Sequence, residues 1–295
     1  MIPEFALDPR QVRSAFERAA ATYDEAAVLQ REIAGRLLER LDYVRLSPAR
    51  VLDAGCGTGY LLPPLSRRFR RADIVGLDVA AAMLRYARRR GGWLARLGNR
   101  RRYVAGDFAQ LPFADASVDL VISSLALQWC RPDCVFAECR RVLRPGGLLL
   151  FSTFGPDTLQ ELRQAWSQVD DSAHVHGFAD MHDLGDLLVH AGFAEPVLDV
   201  ERLTLTYPSV RAALLDLKRI GAHNAMSGRR RGLTGKHRFA AFTANYEAMR
   251  REGRLPATYE VVYGQAWVPE QPSSRPRADG GVGIPLSAIV RRPNS

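Results

Sequence analysis

The chain has 295 residues, 47% hydrophobic and 25% charged, with a formal net charge of +9. That apolar content excludes a disordered chain and suffices for one large α/β domain or two small ones. No apolar run reaches the roughly 18 residues of a membrane-spanning helix, and Met1 to Arg10 lack the basic start and apolar core of a secretory signal, so a cytoplasmic protein is expected.

In chain order, residues 1–48 read as helical, with Phe16, Tyr23, Val28, Leu29, Ile33, Leu37 and Leu41 at helical spacing and Ser47-Pro48 as the stop. Strand and helix signals then alternate to about residue 200. Arg50 to Asp53 is a short strand that runs into glycines, and Leu61 to Phe69 reads as helix. Asp73 to Asp78 is a strand, followed by an Ala-rich helix through Arg90. Arg102 to Ala105 and Val118 to Ser123 are further strands, and Pro132 fits the first turn of a helix that ends at Leu143. Pro145-Gly146-Gly147 reads as a turn before the apolar strand Leu148 to Ser152. A helix to His190, a strand around Val197 to Tyr207, two basic helical stretches and a last strand from Thr258 to Trp267 complete the pattern. Short apolar strands alternating with helices imply a parallel sheet covered on both faces.

Cys56, Cys130, Cys134 and Cys139 form no C-x-x-C pair and no zinc spacing, so reduced thiols and no metal site are expected. The positive charge sits in two patches. Arg85 to Arg102 holds eight arginines and no acid, and Val210 to Arg254 holds eleven Lys or Arg against Asp216, Glu247 and Glu252. Such patches imply an acidic partner or a solvated arginine-rich face. Nucleic acid is disfavoured, because aromatic residues are not interleaved with the cations.

The strongest motif is Val51-Leu52-Asp53-Ala54-Gly55-Cys56-Gly57-Thr58-Gly59, with a strand before it and a helix after it. Its third glycine comes too early for a dinucleotide fingerprint, and it lacks the Lys of a phosphate loop. Asp53 instead suits a cationic ligand group. Asp78 ends the next strand, where an acid can take both ribose hydroxyls of a nucleoside. After the third strand come Asp107, able to accept from an adenine amino group, and Phe108, able to pack against a ring. All three features sit at the C-terminal ends of successive parallel strands and form one crevice at the point where strand order reverses.

Val51 to Gly59, Asp78, Gly106 to Pro112, Val118 to Ser124 and Leu143 to Gly147 together resemble the class I S-adenosylmethionine-dependent methyltransferases. A closer resemblance runs to Trp267 through Phe16 to Ala20, Tyr23-Asp24, Leu127 to Trp129, Phe154 to Leu159, Phe178 to Asp183, Leu203 to Tyr207, Asp216 to Lys218, Gly221 to Asn224, Arg231 to Gly235 and Leu255 to Val261. On these segments the chain is similar to the malonyl-[acyl-carrier-protein] O-methyltransferases of biotin synthesis. Gln265 stands where His is expected in many relatives.

The resemblance implies a Rossmann-like fold with a seven-stranded, mostly parallel sheet and helices on both faces. It implies an N-terminal helical lid (1–48), a core with the cofactor site (49–206), a basic helical insertion (207–257), the last core strand (258–269) and a flexible tail (270–295). S-adenosylmethionine is the implied cofactor, with S-adenosylhomocysteine as product, held by Tyr23, Gln30, Asp53, Gly55, Cys56, Gly57, Gly59, Asp78, Val79, Asp107, Phe108 and Ser123. The implied partner is acyl carrier protein bearing malonyl-phosphopantetheine, with no nucleic acid and no membrane involved. A malonyl half-acid is ionised at pH 7 and needs no general base, so alignment and water exclusion would carry catalysis.

Five cations between Gly228 and Arg238, among them Arg229, Arg230, Arg231 and Lys236, suit an acidic carrier. Lys218 could meet the malonyl carboxylate or the arm's phosphate. Gln128, His182 and Tyr207 are further substrate candidates; His182 reads equally as a helix cap, Tyr207 as a strand end, and Trp129 more as core than as contact. Two other readings remain at this point. One is a hydroxylase-like assembly factor on the same core, similar at Asp157 to Arg163; the other is a small-molecule methyltransferase, which the long insertion argues against.

Overall fold

The computed structural model describes residues 7–90, 101–222 and 234–270. Its strands are β1 (Arg50–Ala54), β2 (Asp73–Asp78), β3 (Arg101–Ala105), β4 (Val118–Ser124), β5 (Leu143–Phe154), β6 (Ala194–Tyr207) and β7 (Leu255–Trp267). They form one sheet in the order β3-β2-β1-β4-β5-β7-β6. Pairing is parallel from β3 through β5, and β7 runs antiparallel to both β5 and β6. This is the seven-stranded, mostly parallel sheet expected from the sequence.

The reason is legible in the strands. Val51, Leu120, Ile122, Leu148 and Leu150 enter the core on one face, while Leu52, Val121, Leu149 and Phe151 enter the core on the other. Successive residues of an extended chain point to opposite faces. A strand apolar at every position therefore needs cover on both sides. Helices α3 (Val28–Glu39), α7 (Gln160–Ser167) and α10 (Lys236–Glu247) contribute Leu37, Leu162 and Phe242 to the first face. Helices α6 (Pro132–Val142) and α8 (Met181–His190) contribute Phe136 and Leu184 to the second. Among the described residues, no helix is long and apolar enough to cross a membrane.

Several boundaries differ from the sequence reading. The N-terminal helical segment divides into α1 (Pro9–Ala19), α2 (Tyr23–Ala26) and α3, with Asp8 capping α1 by accepting from the amides of Arg10 and Gln11. The turn expected at Pro145-Gly147 lies inside β5 as an irregularity. Leu143 pairs with Val118 but Leu148 with Leu120, and Gly146 takes a φ of 75° there. β6 begins three residues earlier than expected and β7 begins at Leu255 rather than Thr258, because the two pair antiparallel from Ala194–Trp267 to Tyr207–Leu255. The remaining helices are α4 (Leu62–Arg68), α5 (Ala81–Arg90) and α9 (Val210–Arg219). Helices α9 and α10 lie between β6 and β7 in the chain. Residues 91–100 of the first arginine patch, Arg229, Arg230 and Arg231 of the second, and the tail after Glu270 lie outside the described residues.

After β1 the chain builds β2 and β3 on one side, then returns to build β4 and β5 on the other. The connections leaving β1 and β4 therefore diverge and leave a crevice at the C-terminal ends of the strands.

Candidate functional site

That crevice holds a cavity of about 420 Å³, lined by Gly55, Gly57, Asp78, Val79, Asp107 and Phe108 among others. A recess of about 50 Å³ adjoins it, sharing Tyr23, Gly55, Gly57 and Ser124 and adding Asp53, Gln30 and Cys56.

The loop after β1 is shaped by close approach. Gly55 has a φ of 75°, and a Cβ on it would stand 2.2 Å from the Cβ of Ala126. A side chain there would force the loop after β1 away from the loop after β4. At Gly57 a Cβ would meet nothing within 4 Å. Because Gly57 lines the cavity, that added carbon would take up ligand space. The amides of Gly55 and Cys56 both donate to the Leu77 carbonyl, at 2.8 and 2.9 Å, which ties the loop to β2.

Two carboxyl groups dominate the electrostatics. Asp53 is 1% exposed, and neither carboxyl oxygen has a hydrogen-bond partner among the described residues. Burial, with a further push from the nearby Asp78 charge, raises its pKa to about 8. Asp78 accepts from the amides of Ala80 and Gly57, both at 2.8 Å. Burial still raises it to about 6, against the opposite pull of those two donors. A buried carboxyl without donors is costly. A cationic ligand group in the recess would remove that cost by holding Asp53 ionised.

Helix α1 roofs the cavity with Val12 and Phe16. Its Glu17 accepts from the amides of Ala81 and Ala82, at 2.7 and 2.9 Å, and so caps α5. From α2, Asp24 accepts from the Thr58 hydroxyl at 2.6 Å and pairs with Arg90, which itself donates to the Thr58 carbonyl at 3.0 Å. The glycine loop and the roof are thus latched through Asp24.

A second cavity, of about 330 Å³, lies beyond Trp129, which lines both. The indole stands edge-on to Phe16 at 5.3 Å and to His176 at 5.1 Å.

Comparison with known proteins decides what this arrangement belongs to. A family model described as a methyltransferase domain matches residues 52–151. The malonyl-[acyl-carrier protein] O-methyltransferase of Gallionella capsiferriformans is 52% identical over 98% of this chain and 99% of its own length. That of Laribacter hongkongensis is 55% identical over 94% of both chains. The chain belongs to the malonyl-[acyl-carrier protein] O-methyltransferase family. Among solved structures, the YcgJ protein of Bacillus subtilis aligns with a TM-score of 0.56 at 18% identity, over 80% of this chain and 98% of that one. Phosphoethanolamine N-methyltransferase 2 of Haemonchus contortus, solved with S-adenosylhomocysteine, aligns with a TM-score of 0.55 at 17% identity, over 88% of this chain and 60% of that one. These two share the fold.

The residues of this family member fit S-adenosylmethionine, the cofactor of the fold. The carboxyl of Asp53, without a hydrogen-bond partner among the described residues, lines a recess able to take a cationic group. Each Asp78 oxygen accepts one backbone amide and keeps a lone pair for a ribose hydroxyl. Phe108, 5% exposed, offers a ring at the cavity wall, with Asp107 beside it.

The other residues singled out from sequence scatter. Tyr23, Gln30, Cys56 and Val79 line the cavity or its recess. Gly59 packs on α5 instead, where a Cβ would stand 2.8 Å from that of Ala87. Ser123 is fully buried and donates to the Ala54 carbonyl at 2.8 Å, joining β4 to β1; its neighbour Ser124 faces the cavity. Gln128 donates to the Leu125 carbonyl at 2.8 Å and accepts from Thr153, so it braces the loop after β4. His182 is exposed on the first turn of α8, which Asp180 caps. Tyr207 donates to Asp216 at 2.7 Å and joins β6 to α9. Lys218 reaches the second cavity, and Lys236 is exposed where α10 begins. Sequence reasoning missed His176, which is buried in the second cavity. Its only sequence signal is a histidine between apolar neighbours in Val175-His176-Gly177-Phe178.

The latch carries a prediction. Asp24→Ala removes a charge-assisted bond to Thr58 and a half-exposed ion pair, together worth about 1 kcal/mol. Cofactor affinity is expected to fall roughly three- to tenfold, through faster release seen in stopped-flow fluorescence. An unchanged release rate would mean that the latch does not hold the roof.

Proposed function

We propose that the protein methylates the free carboxylate of a malonyl group carried on acyl carrier protein. The near full-length relation to proteins of that name, at 52–55% identity, carries this reading. Bound S-adenosylmethionine supplies an electrophilic methyl group: a carboxylate oxygen forms the new C–O bond, and the electron pair of the broken C–S bond stays on sulfur, leaving S-adenosylhomocysteine.

The chain's part is to hold, orient and dry the reactants. Asp53 and Asp78 grip the cofactor's amino-acid and ribose ends, and Phe108 supports its ring. The roof of Val12 and Phe16 excludes water, which otherwise favours the separated charges of the reactants. The acceptor is already ionised at pH 7, so proton abstraction has no place in the reaction. Segment 1–48 serves as lid, and segment 207–257 serves the carrier.

The test is mass spectrometry of malonyl carrier protein after incubation with the protein and S-adenosylmethionine. A gain of one CH2, removable by an esterase, is the expected result. No gain, with cofactor binding shown separately, would move the activity to another acceptor. In the same assay, charge reversal at Arg229, Arg230 and Arg231 is expected to raise KM for the carrier roughly tenfold. Unchanged kinetics would remove the basic run as the docking site.

A further inference from the structure

The two cavities differ in their charged lining. The cofactor cavity and its recess are lined by Asp24, Asp53, Asp78 and Asp107 together with Arg31 and Arg131. The second cavity has no carboxylate among its described lining residues, while Lys218, His174 and His176 line it. An anionic acceptor therefore meets a lysine, two imidazoles and no described carboxylate in the second cavity. The second cavity is also directional: Lys218 on α9 is exposed, whereas His176 is 8% exposed and lies edge-on to Trp129, the side chain common to both cavities.

We propose that the second cavity is the acceptor site, that an anionic acyl-thioester arm enters it beside Lys218, and that a His176 ring N–H holds the acyl head against Trp129, facing the cofactor. This assignment rests on the methyl-transfer reading above and adds the route and the positioning residue. The occupant follows from Trp129, whose side chain lines both cavities, from the exposed cation Lys218 and from the apolar walls of Phe154, Phe178 and Tyr259. Those walls suit the uncharged stretch of the arm behind its anionic head and strip water from the head group.

The choice of histidine has a physical reason. A fixed cation against the carboxylate would stabilise the nucleophile and slow its attack. Burial pushes the His176 imidazole down to about 4, so at neutral pH it donates a hydrogen bond without a full charge. Lys218, exposed at the entrance, can attract the arm without facing the reacting oxygen.

Methylation of malonyl carrier protein by the unaltered protein comes first; its failure would overturn both the reading and this assignment. If it succeeds, His176→Leu is expected to lower kcat/KM for the carrier roughly ten- to hundredfold. S-adenosylhomocysteine affinity, measured by calorimetry, stays within about twofold. His176→Gln keeps an N–H donor and is expected to recover most of the loss. Kinetics of His176→Leu like those of the unaltered protein, or a parallel loss of cofactor affinity, would overturn the assignment and leave the reading standing. Lys218→Glu alters an exposed side chain and does not depend on tolerance in the core. It is expected to raise KM for the carrier several-fold with kcat unchanged, and an unchanged KM would overturn the proposed entrance.

Discussion

Asp53→Asn is expected to lower affinity for S-adenosylmethionine roughly a hundredfold, about 2.7 kcal/mol, because it removes a buried charge that faces a cationic ligand. Calorimetry on the folded variant measures it, and affinity within threefold of the unaltered protein would refute the role. S-adenosylhomocysteine separates the ligand groups, since it keeps the ammonium but lacks the sulfonium. An equal loss for both ligands places the ammonium at Asp53, and a larger loss for S-adenosylmethionine places the sulfonium there.

The same carboxyl predicts a pH dependence. Its pKa of about 8 in the folded chain lies far above the unfolded value near 4. Between these values the folded state binds more protons than the unfolded one, so this group's contribution to stability falls as pH rises from about 4 to 8. Asn does not titrate. Unliganded Asp53→Asn should therefore exceed the unaltered protein in stability at pH 8.5, and the difference should shrink toward pH 5.5, as read by urea unfolding. A cationic ligand binds the ionised form, so affinity should rise with pH up to about 8, with a proton released on binding below that. Flat affinity across this range would show that Asp53 is ionised before the ligand arrives.

Gly264→Ala is expected to cost about 3 kcal/mol of stability, although it adds a single methyl group. Gly264 on β7 pairs with Phe151 on β5, and a Cβ there would stand 2.3 Å from Cζ and 2.5 Å from Cε1 of that ring. Phe151 is buried and packs on Phe136 at 5.5 Å, so the ring has little room to move. Urea unfolding measures the loss. In the Gly264→Ala background, Phe151→Leu should cost less than it does alone, because it relieves the overlap. Equal costs in both backgrounds would mean that the strands separate instead of the ring yielding.

The parts legible beforehand share one property: their chemistry depends on residues close together in the chain. Asp53, Gly55 and Gly57 lie in one strand-loop unit, and Asp78 ends β2 and Asp107 follows β3, strands that end at the same edge. Ser123 is the serine the resemblance implies, yet Ser124 lines the cavity, because alternation along a strand gives two faces but not which of them meets the cavity. Gln128 follows β4 where a substrate contact was expected, but its amide is taken up by Leu125 and Thr153. His182 and His176 are equally plain in the sequence. Only the packing of the chain after α7 buries His176 against Trp129 and leaves His182 on the outside of α8.

The sequence by itself determined the parallel sheet, the glycine loop, the acids at the strand ends and the family, because periodicity and short spacing fold the same way wherever they occur. Tertiary structure alone decided the roof and the second cavity. Glu17 reaches α5 across 64 residues, Asp24 reaches Thr58 across 34, and Trp129 meets residues from α1 and from the segment before α8. Contacts between segments so far apart in the chain depend on how helices pack over the sheet, and no local pattern encodes that packing.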